Sequence, residues 1–335
     1  MYLVIGATNM VGAHLVCTLL RQGKRVKAVL CKGDDPKYTK HILSFYTADF
    51  EGQFNEIKWV SADYNDITSL ADAMTDVCTV FCCKVPNIAW RHDISDNVSE
   101  IKNIIAAAQD SKIDSFIYLS SYHTLGEEPD IMEINELSQR NPKGKYTDFA
   151  LAHYRCEMEV RRAMEEGLPA SILAPSVVIG PGNWTTDFSH QFPDAKDRKY
   201  TSLGVTGFVG VNDVIKCLMM LARKKIHGEK FIANSQNMSY KTLHRLIAEQ
   251  LGTPVPQKLA SKGVITLYKI CYVIKSIFTG RRPLLNKLYT YSLNDFRLID
   301  NSKSINTLIA VYEPIESVIK TISAIYKADH TPAHD

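Results

Sequence analysis

The chain has 335 residues, 45% of them hydrophobic, and its 39 lysines and arginines nearly balance its 36 aspartates and glutamates. Such a chain can bury a large core, in two domains or in one domain with a lobe. The formal charge of +3 comes without a basic segment, which argues against nucleic acid as a partner. The first 20 residues show no charged leader followed by an apolar signal core, so we expect a cytoplasmic protein.

The first twelve residues predict a phosphate-binding turn between a strand and a helix. Tyr2 to Ile5 has the pattern of a buried parallel strand, and apolar residues recur at helical spacing from Val11 onward. The first amides of a helix are unpaired, so they suit a pyrophosphate. Asn9 stands where a middle glycine is common, which leaves less room for the phosphate. The predicted binding residues are Gly6, Thr8, Asn9, Met10, Val11 and Gly12. The alternative is a tight turn without a ligand.

The eight cysteines contain no C-x-x-C pair, and Cys78, Cys82 and Cys83 cluster on or beside one apolar strand. This pattern predicts reduced, buried thiols and no metal site.

Strands and helices then alternate along the chain, which predicts a parallel sheet covered by helices on both faces. The predicted strands are Arg25 to Cys31, Ile57 to Ser61, Thr79 to Cys83, Ser115 to Ser120 and Ala170 to Pro175. The longer predicted helices here are Asn97 to Gln109 and Thr147 to Glu166.

After residue 180 the pattern becomes helix-rich with few strands. We therefore divide the chain into a dinucleotide-binding domain at 1–180, a smaller and partly interleaved substrate lobe at 181–327, and a tail at 328–335. The predicted helices of the lobe are Val211 to Arg223, Tyr240 to Leu251, Gly263 to Phe278 and Glu313 to Lys327.

Several short motifs occur in order along the chain. They are Gly6-Ala7-Thr8-x-x-Val11-Gly12, Ser61-Ala62-Asp63-Tyr64-x-Asp66, Asn97-Val98 with Asn103, Tyr118-Leu119-Ser120-Ser121, Gly167 to Ser176, Gly180-Pro181-Gly182 and Asp300-Asn301-Ser302-Lys303. This order resembles the extended short-chain dehydrogenase/reductase family, in particular its NAD-dependent epimerase/dehydratase and dihydroflavonol-reductase-like members. The resemblance covers nearly the whole chain and implies an α/β fold, a Rossmann-type doubly wound parallel sheet with a smaller helix-rich C-terminal substrate lobe.

The resemblance also implies roles for single residues. Asp63 would accept a hydrogen bond from the adenine amino group of the cofactor; its alternative role is a charge at a helix N-terminus. Ser121 would hydrogen-bond the reacting carbonyl or alcohol, since ligands of open α/β sheets bind at the carboxyl ends of the strands; otherwise it caps a turn. Pro175, at the end of another strand, belongs to the expected cofactor contacts.

The type of cofactor depends on the tip of the second strand, Leu30-Cys31-Lys32. It lacks the carboxylate that would bind the ribose 2′-hydroxyl of NAD. Lys32 could pair with the 2′-phosphate of NADP, whereas Asp34 and Asp35 argue weakly the other way. We expect NADP or NAD, with a modest preference for NADP.

The family's Tyr-x-x-x-Lys pair is absent. Aligning the chain on Cys156-Glu157-x-x-Val160 places Phe149 at the tyrosine position and His153 at the lysine position. None of the sixteen tyrosines has a lysine four residues later. The candidates for a substitute acid are His153, whose ordinary pKa is near 6.5, and Tyr146, two helical turns earlier. His153 would also contact the cofactor.

The sequence is compatible with two functions. The first is an NAD(P)-dependent oxidoreductase, similar to a reductase, dehydratase or epimerase, acting on a small carbonyl or hydroxyl compound with an atypical acid-base residue. The second is a catalytically impaired dinucleotide-binding sensor or regulatory protein. Ala174 and Ile179 stand where the family often carries polar side chains, which favours an apolar or small carbonyl substrate over a nucleotide sugar. A homodimer is compatible with either function.

The predicted helix from Gly263 to Phe278 is apolar but contains two lysines, Lys269 and Lys275. A length near sixteen residues argues against a membrane span. We expect a helix that closes the substrate cleft; a surface for a membrane or another protein is the alternative.

Overall fold

The computed structural model describes residues 1–87, 93–126, 133–141, 143–144, 146–185, 188–261, 296–309 and 311–331. The predicted helix from Gly263 to Phe278 lies outside these residues. The strands in chain order are β1 (Tyr2–Ile5), β2 (Val26–Leu30), β3 (Lys58–Ser61), β4 (Thr79–Cys82), β5 (Ser115–Leu119), β6 (Glu133–Ile134), β7 (Ala170–Pro175), β8 (Val177–Ile179), β9 (Tyr200–Thr201), β10 (Val205–Gly210), β11 (Lys230–Ala233), β12 (Gln236–Ser239), β13 (Lys258–Leu259) and β14 (Leu298–Ile299).

The helices alternate with these strands through most of the first half of the chain. They are α1 (Met10–Arg21), α2 (Lys37–Ser44), α3 (Phe50–Asn55), α4 (Ile67–Met74), α5 (Ile94–Asp110), α6 (Asp148–Glu165), α7 (Val211–Lys224), α8 (Tyr240–Leu251), α9 (Ser302–Thr307) and α10 (Ile315–His330). The predicted strands and helices of this half agree with the observed elements within a few residues.

Seven parallel strands form the central sheet in the order β11-β7-β5-β4-β1-β2-β3. The predicted Rossmann-type sheet is confirmed. The strand order reverses at β1, between β2 and β4, which is the point where open α/β sheets bind ligands. The strand ends stay in register there, since Ile5 pairs with Cys82. The loops after β1, β4, β5 and β7 therefore meet at one edge of the sheet.

Apolar side chains cover both faces of this sheet. Leu15 and Leu19 of α1 and Leu218 of α7 belong to the cluster on one face. Ile104 of α5 and Val160 of α6 belong to the cluster on the other. All five side chains are fully buried, so burial of these helix faces stabilises the layered arrangement.

The second half contains more strands than its sequence indicates. β10 pairs with β8 and β12 in a small sheet, and α8 and α10 pack beside it. β11 instead joins the central sheet beside β7, so residues after 180 contribute to both parts.

The last helix continues past the predicted start of the tail, to His330. Trp184 donates a hydrogen bond to Asp329 at 2.7 Å, which anchors that end.

Within the described residues, no helix combines the length and hydrophobicity that crossing a bilayer requires.

Candidate functional site

The turn after β1 forms a tight cradle at the start of α1. Asn9 is the N-cap residue: its side-chain oxygen accepts the Gly12 amide at 3.0 Å, and its side-chain nitrogen donates to the Cys83 carbonyl at 2.7 Å. The Asn9 side chain thus ties the turn to the end of β4. The amides of Met10 and Val11 come before any intrahelical acceptor, so they are available to an anion.

Two glycines make this close approach possible. A Cβ atom on Gly12 would lie 2.0 Å from the Gly6 carbonyl oxygen, which is backbone and cannot give way. Gly6 has φ +77°, and a Cβ there would lie 2.8 Å from the Cys83 carbonyl. Thr8 is half-buried between them. The cradle therefore fits a phosphate group held by helix amides.

The tip of β2 carries charges of both signs. Lys32 is exposed. Asp34 folds back onto the same strand end, where its carboxylate accepts the Cys31 amide at 2.9 Å. From the sequence alone, Asp34 is expected to lie slightly beyond the tip of β2. The turn brings its carboxylate to the strand tip, so the structure weakens the argument for NADP that Lys32 carries.

Asp63 follows β3 and is exposed. One of its carboxylate oxygens accepts the amide of Asn65 at 2.9 Å, which stabilises the turn before α4. Asp66, not Asp63, caps the helix. The second oxygen of Asp63 has no partner among the described residues, so the carboxylate keeps an acceptor for a ligand.

Ser121 directly follows β5 and begins a 3₁₀ turn, Tyr122–Thr124. Its hydroxyl oxygen accepts the His123 amide at 3.4 Å. The serine is half-buried at the edge where the carboxyl ends of the parallel strands meet. It therefore caps a turn and also lies where the resemblance places the hydroxyl that contacts the substrate.

Helix α6 presents one polar and aromatic face towards this turn. Phe149, His153 and Glu157 follow at intervals of four residues, so they share that face. The ring centroids of Phe149 and His153 are 4.4 Å apart, and those of Phe149 and His123 are 6.0 Å apart. Phe149 thus lies beside the Ser121 turn, but it offers no proton.

His153 is buried, and neither ring nitrogen has a hydrogen-bond partner among the described residues. Burial lowers its pKa to about 3, and the nearby Lys84 ammonium adds to that effect. The ordinary pKa near 6.5 therefore does not apply here. A neutral imidazole with two unpaired nitrogens suits a hydrogen bond to a ligand hydroxyl, such as a ribose, better than it suits a general acid at neutral pH.

Tyr146 lies elsewhere than the sequence suggests. Its hydroxyl donates to the Asn141 carbonyl at 3.0 Å, and its ring packs under the Arg140 guanidinium at 3.5 Å. Tyr154 stacks on the same guanidinium at 4.6 Å. Both tyrosines belong to the packing of the loop before α6. We therefore withdraw Tyr146 as a substitute acid.

A buried ionic network lies directly beneath the Ser121 turn. Glu157 accepts hydrogen bonds from Ser120 at 2.6 Å, Thr124 at 2.8 Å and Lys230 at 2.8 Å. Burial by itself would raise the pKa of Glu157, but Lys230, Ser120 and Arg161 bring it down to about 2. The network joins α6, β5 and β11, so it fixes Phe149 and His153 relative to Ser121.

Sequence reasoning missed two further groups at this edge. Lys84, just after β4, is buried and pairs with Glu100 of α5 at 2.6 Å. Ser176 follows Pro175 at the end of β7; its hydroxyl is buried without a partner among the described residues. The position of Lys84, directly after an apolar strand, could have identified it from the sequence. A single serine after a proline, such as Ser176, carries no such indication.

Most of the chain matches a known class of protein. The NAD dependent epimerase/dehydratase family matches residues 2–233, and the chain belongs to this family. The match covers the central sheet through β11, including the cradle, Ser121 and the face of α6.

The individual proteins that resemble this chain share only a low sequence identity with it. A protein named provisionally as a dihydroflavonol 4-reductase, from Synechocystis sp., is 26% identical over 268 residues, 76% of this chain and 74% of its own. Sterol demethylase protein B of Methylococcus capsulatus is 24% identical over 319 residues, 90% of each chain. The crystal structure of a UDP-glucuronic acid 4-epimerase from Bacillus cereus, in complex with UDP-glucuronic acid and NAD, has a TM-score of 0.73 at 15% identity, covering 98% of this chain and 99% of its own.

Proposed function

We propose that this protein is an NAD(P)-dependent oxidoreductase that acts on a small, largely apolar carbonyl or hydroxyl compound. The observation that supports the proposal is that three features occur at the same edge of the sheet. They are the cradle at Gly6 to Gly12, the Ser121 turn and the unpaired nitrogens of His153. A bound nicotinamide dinucleotide would supply hydride transfer. The chain's own residues would bind, orient and exchange protons.

Each part of the site has a role in this proposal. The amides of Met10 and Val11 would hold the pyrophosphate, and Asp63 the adenine. His153 would hydrogen-bond the nicotinamide ribose as a neutral imidazole. Ser121 would hold the oxygen of the substrate, and Pro175 would border the nicotinamide.

The substrate class is inferred from the lining. Ala174 in β7 and Ile179 at the end of β8 are both fully buried, so neither offers a polar group at the positions where the family often carries one. Two relatives carry names that refer to dihydroflavonol and sterol chemistry, and both compound classes are polycyclic with few charges. These facts support an apolar carbonyl or alcohol rather than a nucleotide sugar.

A second function is favoured by one specific observation. Phe149 fills the position beside Ser121 where a proton donor is expected, and His153 is neutral there. A protein that binds a dinucleotide with little turnover, as a sensor or regulatory subunit, is compatible with this arrangement.

The test begins with binding. NADH and NADPH are titrated into the protein and followed by the fluorescence of the nicotinamide; saturable binding of at least one is expected. Turnover is then measured with a dihydroflavonol, a 3-oxosterol and benzaldehyde, and with the matching alcohols. Absence of dinucleotide binding rules out the proposal. Binding without turnover of any compound would favour the sensor function over the oxidoreductase.

A further inference from the structure

His123 belongs to the same turn as Ser121, two residues further along the chain. It is the second residue of the 3₁₀ turn, and its amide donates to the Ser121 hydroxyl oxygen at 3.4 Å. The backbone thus fixes its position relative to the serine. The residue is half-buried.

The rings around His123 form a continuous row. His123 stacks on Tyr122 with ring centroids 4.0 Å apart, and it meets the edge of Phe149 at 6.0 Å. Phe149 in turn contacts His153 at 4.4 Å. Two imidazoles therefore flank the phenylalanine, one on the side of the Ser121 turn and one further along α6.

The other polar side chains of this row are assigned other contacts. The Tyr122 hydroxyl is bonded to Thr206 at 3.1 Å. His153 lies one helical turn after Phe149, and the proposed contact with the nicotinamide ribose accounts for its unpaired nitrogens. No hydrogen bond to the His123 ring is present in the described part of the chain.

We propose that His123 exchanges the proton with the substrate oxygen that Ser121 holds, in place of the absent tyrosine. This inference rests on the proposed function. In the direction of alcohol oxidation, the O–H bond of the substrate breaks and the proton goes to an imidazole nitrogen of His123. The hydride of the carbinol carbon would pass to an oxidised nicotinamide dinucleotide bound in the cradle. In carbonyl reduction both return to the substrate.

The surroundings of His123 set its charge. Burial, Arg297 and His153 all lower its pKa well below the ordinary value, so the ring is neutral at neutral pH. A neutral imidazole is the form that accepts the proton in alcohol oxidation. The lowered pKa makes His123 a weaker base than a free histidine, so its place in the same turn as Ser121, and not its pKa, supports the assignment.

The experiment compares His123→Ala with His153→Ala. For His123→Ala we expect the dissociation constant for NADH, measured by fluorescence, to stay within about twofold. Its oxidation of benzyl alcohol should fall by about 10²- to 10⁴-fold, the range of a general acid–base group. For His153→Ala we expect NADH binding itself to weaken. Added imidazole should restore part of the activity of His123→Ala but none to Ser121→Ala.

The outcomes separate the two claims. If the parent binds no dinucleotide, the proposed function fails. If the parent binds it but oxidises none of the alcohols, or if His123→Ala keeps parental turnover, the role of His123 is wrong while dinucleotide binding stands. Loss of NADH binding in His123→Ala, or turnover that imidazole cannot rescue, would make His123 a structural residue and also overturn the inference.

Discussion

At the scale of single residues, Gly12 carries the strictest steric requirement in the cradle. We expect Gly12→Ala to lower the free energy of unfolding by about 1–3 kcal/mol, because overpacking against backbone cannot relax. It should also abolish dinucleotide binding. Gly180→Ala is the control, since its Cβ would meet the side chain of Val211 at 2.7 Å, which can move more easily. Urea unfolding measures both variants; equal stability of Gly12→Ala and the parent would contradict the steric argument.

The two charges at the tip of β2 make a separate prediction about cofactor choice. Lys32→Ala should weaken NADPH binding up to about fivefold, the value of an exposed ion pair, and leave NADH binding unchanged. Asp34→Asn should strengthen NADPH relative to NADH, because a carboxylate repels the 2′-phosphate. Lys24→Ala, an exposed lysine just before β2, is the control. Calorimetry gives the dissociation constants of NADPH and NADH for the parent and each variant. An NADPH/NADH ratio unchanged from the parent in both Lys32→Ala and Asp34→Asn would exclude this strand tip from cofactor selection.

Residue identities alone could locate part of this site. Gly6, Gly12, Ser121 and the Phe149 position follow from motifs, because backbone requirements and helix spacing are written in the sequence. The role of His123 could not be read in the same way. Its contact with Phe149, 26 positions later, depends on how α6 packs against the turn, and no local pattern in the sequence encodes that contact.

At the scale of elements, the face of α6 beside Ser121 can be tested by restoring the missing pair. We expect Phe149→Tyr combined with His153→Lys to reduce carbonyl compounds faster than the parent, by about one to three orders of magnitude. Both changes are required, because an isolated tyrosine keeps a pKa near 10. Phe149→Tyr alone is the control. The measurement is the rate of benzaldehyde reduction with NADPH or NADH. If the double variant is no faster than Phe149→Tyr alone, this face of α6 does not reach the nicotinamide.

Helices and long strands were predictable because their apolar periodicity extends over many residues. The short strands of the second half were not. β11 has four residues and includes the buried Lys230, whose charge argues against a buried strand until its partner Glu157 is known. Tertiary pairing therefore decides elements whose local pattern is weak or contradictory.

At the scale of the whole molecule, the Glu157–Lys230 pair links α6 to β11 across the fold. Removing one partner leaves a buried charge, so Lys230→Met should cost about 3–5 kcal/mol at pH 7. The double variant Lys230→Met with Glu157→Leu should recover part of this loss. Asp114→Asn, which breaks an exposed pair with Lys225, should have almost no effect. Urea unfolding tests all three variants.

The same pair gives the fold an acid dependence. The folded-state pKa of Glu157, about 2, is below its ordinary value, so its contribution is present above pH 4.5 and is lost as the pH falls towards 2. We expect the free energy of unfolding to decline over that interval, and Glu157→Gln to flatten the decline. Unfolding curves at pH 7, 4 and 3 give the comparison; parallel slopes would assign the acid sensitivity to other carboxyls.

The position of β11 also has a consequence for how the protein is made. The amides of Ile172 on β7 and of Ser176 just after it donate to the carbonyls of Glu229 and Ala233, so β7 gains its outer partner only from β11, much later in the chain. At a synthesis rate of about 5–20 residues per second, roughly 3–12 s separate the emergence of the two strands from the ribosome. Until then β7 is an apolar edge that another nascent chain can pair with. A chaperone that covers this edge during synthesis should therefore raise the yield of folded protein, and expression of residues 1–180 alone should give aggregates.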